Sequence, residues 1–388
     1  MSTAVEKSYA KPAVPSARPK AVLLYWGRRG GGSDVTLFLA RHLAGAAEPV
    51  DVALSLSSQN SDMTAFRATR LPIVIFDRPR LSTLWRDAWL LPGRFRRHAE
   101  ALAGLRPSAV IVTMNAPFAW PFTRLLQRRG LKVVYVAHDA EPHPGDYAAT
   151  WQRWTQDLLI KSADQIVALS TSVAERVVER IPVAGRKTTV IPLETIYPTQ
   201  RPKAVRARSL HDPVHLLFYG RLLPYKGLSL LARALEPIRQ NPTWRLTVAG
   251  SGPLEAEVRK AFADWPQVDL RLGWVSHEKT AELFSTHDLL LCPYVEASQS
   301  GVIAQALSWG LPSLVMPTGA LPEQIGFGQA GRVAETTDPS GYHQALAEIL
   351  HHPDLLAELS RGASALLAER QADRSWIDLV AAAGMDRA

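Results

Sequence analysis

The sequence predicts an α/β protein built from two Rossmann-like, doubly wound domains that face a cleft. Three observations carry this. The chain of 388 residues is too long for one ordinary core and long enough for two. Short Val- and Ile-rich runs alternate with longer amphipathic segments, the pattern of a parallel sheet covered by helices on both faces. That alternation lapses once, over residues 197–213, and then restarts.

Composition bounds the rest. An apolar content of 47% and a charged content of 21% are those of a folded protein. The single cysteine, Cys292, excludes a disulfide framework and a cysteine-based metal cluster, and reads as a small buried residue. No run approaches 18 apolar residues, so no membrane-spanning helix is expected. Residues 1–20 are polar and proline-bearing, without the apolar core of a signal peptide, and are expected to be a disordered leader. The net charge of +8 favours acidic partners and leaves nucleic acid, an anionic membrane and a diphosphate open.

In the first domain, residues 21–200, the strand runs are AVLLYW, VDVALSL, LPIVIF, AVIVTM, KVVYVAHD, QIVALS and TTVIPL. VTLFLARHLAG and FAWPFTRLLQRRG read as helices between them, and another starts near Thr171. Residues 201–212 are basic and aperiodic and read as an interdomain linker. The second domain, 213–370, repeats the alternation from VHLLFYG through WRLTVAG, VDLRLGW and DLLLCPY to PSLVMP. The last helix, 371–388, is expected to pack back on the first domain. In such sheets ligands bind beyond the carboxyl ends of the strands, so chemistry is sought in the loops that follow them.

Four such loops stand out. GRRGGGSD, residues 27–34, opens a helix and offers Gly30, Gly31 and Gly32, whose amides can approach an anion; a plain turn reads the same, and the spacing is not that of a dinucleotide fingerprint. FYGRLLPYKG, residues 218–227, sets Arg221 and Lys226 on a strand-to-helix loop beside Gly220, where two cations can clamp a diphosphate or merely be solvated. VAGSGPLEAEV, residues 248–258, places Gly250 and Gly252 in a turn suited to a nucleotide pocket or to a turn alone. HDAEPHPGD, residues 138–146, gathers His138, Asp139, Glu141, His143 and Asp146, which have the ingredients of a metal site.

These pieces, in this order and followed by YVEASQSGVIAQALSWGLPSLV and TGALPE, resemble glycosyltransferase family 4. That family comprises the retaining transferases of the GT-B fold, and the likeness is to its bacterial polysaccharide-assembly branch. It extends over about residues 21–370 and is most specific in the second half. It implies an acceptor domain followed by a nucleotide-sugar domain, with no metal and no cofactor. Arg221 and Lys226 would neutralise the donor diphosphate as it leaves. His138 would touch the transferred sugar, or be a satisfied structural histidine. Gly30, Gly31, Gly220, Gly250 and Gly252 would border the donor, and Gly32, Asn115 and Asp139 the acceptor.

The stretch 292–323 departs from the common pattern. Many relatives carry two glutamates separated by seven residues; here Gln305 occupies the second position and Glu296 lies nine residues before it, so the spacing is not met. ASQSGVIAQA looks like a variant loop in which Ser298, Gln299, Ser300, Gly301 and Val302 meet the donor with amides and hydroxyls at a helix start. Gln305 would be a neutral ribose partner. Glu296 would be a sugar or ribose ligand, or a surface acid before a turn.

Residues 78–97 carry six arginines interleaved with Trp85 and Trp89. Arg80, Arg86, Arg94, Arg96 and Arg97 with the two tryptophans suit an anionic membrane surface, or a helix face that turns its tryptophans inward. WQRWTQDLLIK, residues 151–161, extends that surface. The expected activity is transfer of a sugar from a nucleotide sugar to a lipid-linked, polyprenyl diphosphate saccharide, on the inner face of the cell membrane. An inverting GT-B transferase or a sugar-nucleotide epimerase is the nearest alternative. A basic nucleic-acid-binding protein is the alternative of another class, against which no nucleic-acid motif is present.

Overall fold

The computed structural model describes residues 20–28, 30–79, 85, 88–141, 149–200 and 212–385. They form two parallel sheets. The first contains β1 (Lys20–Tyr25), β2 (Asp51–Ser57), β3 (Ile73–Phe76), β4 (Ala109–Val112), β5 (Lys132–Ala137), β6 (Gln165–Ala168) and β7 (Thr188–Val190), in the order β3-β2-β1-β4-β5-β6-β7. The second contains β8 (Val214–Tyr219), β9 (Trp244–Gly250), β10 (Val268–Leu272), β11 (Leu289–Cys292), β12 (Ser313–Val315) and β13 (Gly331–Val333), in the order β10-β9-β8-β11-β12-β13. The first strand begins at Lys20, one residue earlier than the leader boundary read from sequence. Arg80, Arg86, His143, Asp146 and nearly all of the linker lie outside the described residues.

The continuous apolar runs are explained by burial on both faces. Along β1, Ala21, Leu23 and Tyr25 enter one core of the first domain, while Val22, Leu24 and Trp26 enter the other. A strand with water on one face would have alternated polar residues. The second domain has a single large core running from Val214 to Leu367.

Strand order reverses between β1 and β4 in one sheet and between β8 and β11 in the other. A crevice opens at such switch points, beyond the carboxyl ends of the strands. The loops after these four strands therefore form the cleft.

The chain passes between domains twice. A 3-10 turn at Leu193–Ile196 leads out of β7. The helix Pro353–Ala372 leads back, ending at Asp373 before the final helix Ser375–Met385. Trp376, Ile377, Leu379 and Val380 of that helix lie in the core of the first domain, and Trp376 Nε1 donates to Thr195 Oγ1 at 3.0 Å. The two passages touch: Gln371 Nε2 donates to Tyr197 O, and Thr199 Oγ1 to Gln371 Oε1 at 2.7 Å.

Candidate active site

At the end of β8, Gly220 adopts a φ of 124° and the backbone turns sharply into a 3-10 turn at Pro224–Lys226. Gly227 closes it with a φ of 70°, and a Cβ there would stand 1.8 Å from Pro293 O. The loop after β11 is thus stacked directly on the loop after β8, and Val295 N donates to Tyr225 O at 2.9 Å.

This stacking fixes the two cations differently. Lys226 is only 8% exposed, and its Nζ lies 3.6 Å from the ring centroid of Tyr294 and 5.3 Å from that of Tyr225. Burial pulls its pKa down to about 8, Arg221 pulls in the same direction, and Cys292 opposes them. Such a desolvated ammonium held by aromatic faces is primed to gain from an anion. Arg221 is exposed and is oriented by a 3.2 Å hydrogen bond from Nη2 to Tyr225 Oη. Among the described residues neither cation has a carboxylate within ion-pair distance.

The facing element is the helix Gly301–Ser308, with Ser300 at its N-cap position and no capping bond from the Ser300 side chain. Ile303 N and Ala304 N both reach back to Ser300 O. Among the described residues the amides of Gly301 and Val302 have no acceptor, the usual state of a helix start. Val302 is half-buried beside Gly220, and Gln305 lies one turn further along, half-buried. Two cations and a helix N-terminus converge on one region, which favours a doubly charged anion.

The loop before that helix crosses to the first domain. Ser298 Oγ donates to Asp139 Oδ1, and Ser170 Oγ donates to Ser298 O at 3.3 Å. His138 is half-buried at the end of β5, and its Nε2 lies 2.6 Å from Thr113 O. A carbonyl only accepts, so Nε2 carries the hydrogen and Nδ1 is left as an acceptor, 3.5 Å from Gln299 Nε2. Burial holds this imidazole below its ordinary pKa against Asp139 and the Thr113 carbonyl, so the neutral ring is the resting form. Asn115, at the end of β4, donates to Gln152 O and Thr155 Oγ1, both at 3.2 Å. Its Oδ1 and Gln299 Oε1 are buried and have no partner among the described residues. Unpaired buried acceptors at a cleft are sites for ligand hydroxyls.

Some residues read as ligand contacts from the sequence answer first to the protein. A Cβ at Gly250 would meet Gly220 O at 1.7 Å, and one at Gly252 would meet Leu222 O at 2.4 Å. At Gly32 it would meet Met114 Sδ at 2.5 Å. Gly250 and Gly252 are demanded by neighbouring backbone and Gly32 stands against side chains, the movable Met114 thioether nearest, whereas Gly30 and Gly31 have open space above them. Gly30 also adopts a φ of 99°, available to glycine alone in practice. Glu296 is exposed on the loop. The 138–146 cluster is divided: Asp139 engages Ser298, and Glu141 pairs with Arg153 at 3.2 Å. Among the described residues no three His, Cys, Asp or Glu side chains converge as metal ligands.

The basic aromatic segment is not one uniform stripe. Trp85 and Trp89 are 84% and 77% exposed. Arg94, however, is largely covered and ion-paired to Asp77 at 3.1 Å; Arg96 pairs with Glu100 at 2.9 Å, and Arg97 is exposed. Phe95 packs inward, 5.6 Å from the Phe122 ring. Trp151 and Trp154 are 54% and 50% exposed and lie 5.1 Å apart. No helix among the described residues is long and apolar enough to cross a membrane.

Sequence reasoning gave no role to Ser170, Thr171, Glu323 or Gln324. Glu323 accepts from Thr171 N and Oγ1 across the cleft, and Gln324 Oε1 accepts from Ser300 N at 2.6 Å. Of these only Glu323 carries a sequence signal, as the last residue of TGALPE: Gly319, with a φ of 53°, lets that loop pass beneath Ala297, whose carbonyl would stand 1.6 Å from a Cβ.

Residues 29–193 match the family described as Glycosyltransferase Family 4, and residues 213–352 match Glycosyl transferases group 1. An amylovoran biosynthesis glycosyltransferase of Erwinia amylovora is 29% identical over 151 residues, which is 37% of this chain and 36% of the relative. A D-inositol 3-phosphate glycosyltransferase of Streptomyces avermitilis is 26% identical over 227 residues, 53% of this chain and 48% of the relative. The chain thus spans about half or less of the length of these curated relatives. Among solved structures, Anabaena HepE in complex with UDP and glucose superposes with a TM-score of 0.67 at 16% identity, covering 95% of this chain and 98% of that one. At that identity the likeness is one of fold.

Proposed function

The chain belongs to the group 1 and family 4 glycosyltransferases and has their GT-B fold, and from that premise we propose that it moves a sugar from a nucleotide sugar to a lipid-linked saccharide, with retention of configuration. The observation that carries this reading is the convergence of Arg221, Lys226 and the amides of Gly301 and Val302, with no carboxylate partner for either cation among the described residues. A nucleoside diphosphate placed there would have its leaving charge neutralised as the glycosidic bond breaks. Stabilising charge where it develops is usually the largest catalytic term. No metal is then required for that task, and chelator is expected to leave turnover unchanged.

Retention follows if the acceptor hydroxyl attacks from the face the diphosphate leaves. The C1–O bond to the diphosphate breaks, the bond from C1 to the acceptor oxygen forms, and the hydroxyl proton passes to the departing phosphate oxygen. The two carboxylates that follow His138 are both engaged, Asp139 by Ser298 and Glu141 by Arg153, which lowers their basicity and supports this route. The names of two matched relatives, one in amylovoran biosynthesis and one crystallised with UDP and glucose, support a nucleotide-sugar donor and a polysaccharide product. The exposed Trp85, Trp89, Trp151 and Trp154 support an acceptor presented at an anionic membrane surface.

A thermal-shift screen against nucleotide sugars tests the donor, since a ligand of the folded state raises apparent stability. Arg221→Ala and Lys226→Ala are each expected to lower transfer at least a hundredfold, as loss of a transition-state contact does, at about 2.7 kcal/mol. Full activity in both would place the diphosphate elsewhere. Product anomericity by NMR separates retention from inversion, and release of an epimerised sugar nucleotide without transfer would replace the reading.

A further inference from the structure

Glu194 lies in the turn where the chain leaves the first domain, and it is 2% exposed. Its Oε1 accepts from Gln324 Nε2. The orientation of Gln324 is set by its other contacts, because Oε1 accepts the Ser300 amide at 2.6 Å and Nε2 also donates to Ser300 O at 3.2 Å. A carboxylate from one domain is therefore joined through one amide side chain to both backbone groups of the residue at the N-cap position of the helix Gly301–Ser308. The chain just after this turn grips that helix elsewhere: Gln200 N donates to Ser308 O at 2.7 Å, and Ala304 lies in the core cluster that contains Tyr197.

Burying a carboxyl group costs free energy unless hydrogen bonds compensate. Burial, the largest influence, raises the Glu194 pKa above the ordinary carboxyl value, with Gln324 and Arg370 opposing it and Glu323 adding to it. A hydrocarbon would join the domains more cheaply at this point. What a carboxyl acceptor adds is direction, since it holds Gln324 Nε2 on its own side and so keeps Oε1 on the Ser300 amide, which sets where the helix start points.

We propose that Glu194 is a positioning residue, which acts through Gln324 to hold Ser300 and so to aim the Gly301 and Val302 amides at the donor diphosphate. This rests on the donor reading above. Neither side chain touches the ligand.

The test uses the full chain with UDP and GDP as probes. Glu194→Ala and Gln324→Ala are each expected to weaken the diphosphate that binds wild type about tenfold, or about 1.4 kcal/mol. Glu194→Gln keeps an acceptor oxygen and is expected to bind within about twofold of wild type by the same scale. The double alanine variant is expected to be no weaker than either single, because both act on one path. Hydrogen exchange at the bonded amides of Ser300, Ile303 and Ala304 is expected to quicken in the alanine variants but not in Glu194→Gln, with β1 and β2 unchanged. Should Glu194→Ala fail to fold, Gln324→Leu carries the same comparisons. Additive losses, wild-type exchange in the alanine variants, or failure of Glu194→Gln to rescue would overturn the proposal. If wild type binds neither diphosphate, the donor reading falls, and the exchange measurement still decides the bridge.

Discussion

Lys226 illustrates how a residue's chemistry depends on what lies under it. Lys226 rests on the Tyr294 ring, and burial pulls its pKa from the ordinary 10.5 down to about 8. Between those values the unfolded chain binds more protons than the native one, so this group makes native stability rise with pH, by at most about 1.4 kcal/mol per unit. Denaturant titrations at pH 7.5 and 9.5 are therefore expected to show a positive increment in wild type that Lys226→Met lacks. Diphosphate affinity is expected to fall as pH rises above 8, when the ammonium is lost. Burial pushes the Cys292 thiol up to about 12, so native protein is expected to resist thiol reagents that label it promptly in denaturant. Arg221 and Lys226 were legible in the sequence as a pair of cations five residues apart. Their unequal exposure was not, because it follows from the stacking of Tyr294, which lies 68 residues further along.

At the scale of elements, what positions the site is the contact between the loops after β8 and β11. Gly227→Ala forces a Cβ into Pro293 O at a backbone angle hostile to other residues. It is expected to cost more than about 1 kcal/mol in chemical denaturation and to impair donor binding by displacing Lys226. Gln305 stands one turn into the facing helix, and Gln305→Glu is expected to tighten nucleotide binding if a ribose hydroxyl lies there, measured by calorimetry. The strands were readable because residues buried on both faces must be apolar without interruption. The glycines were readable as special but not as to cause: only distance shows that Gly250 and Gly252 make way for other backbone while Gly30 and Gly31 stand open.

At the scale of the whole molecule, the restart of the strand pattern near residue 213 was legible because each domain needs its own core. The bonds that join the domains were not. Ser298 and Asp139 are 159 positions apart and Glu194 and Gln324 are 130, separations at which no local pattern exists. The final helix was expected from the sequence to pack back on the first domain, but which of its residues enter that core depends on where the preceding helix delivers it. Trp376→Ala is expected to cost about 3 kcal/mol or more, with early exchange in β1 and β2 rather than in the second sheet. The adjacency of the two passages between domains has a mechanical consequence. A body tied to another at one point can swivel in every direction, but here the outgoing and returning chains are stitched side by side by Gln371, Tyr197 and Thr199. They behave as the spine of a book, and opening displaces most the parts furthest from the spine. The polar contacts Thr171–Glu323 and Ser298–Asp139 lie beside that spine, since Gln324, the residue after Glu323, bonds Glu194 of the outgoing passage, and they brace the seam where the two bodies meet.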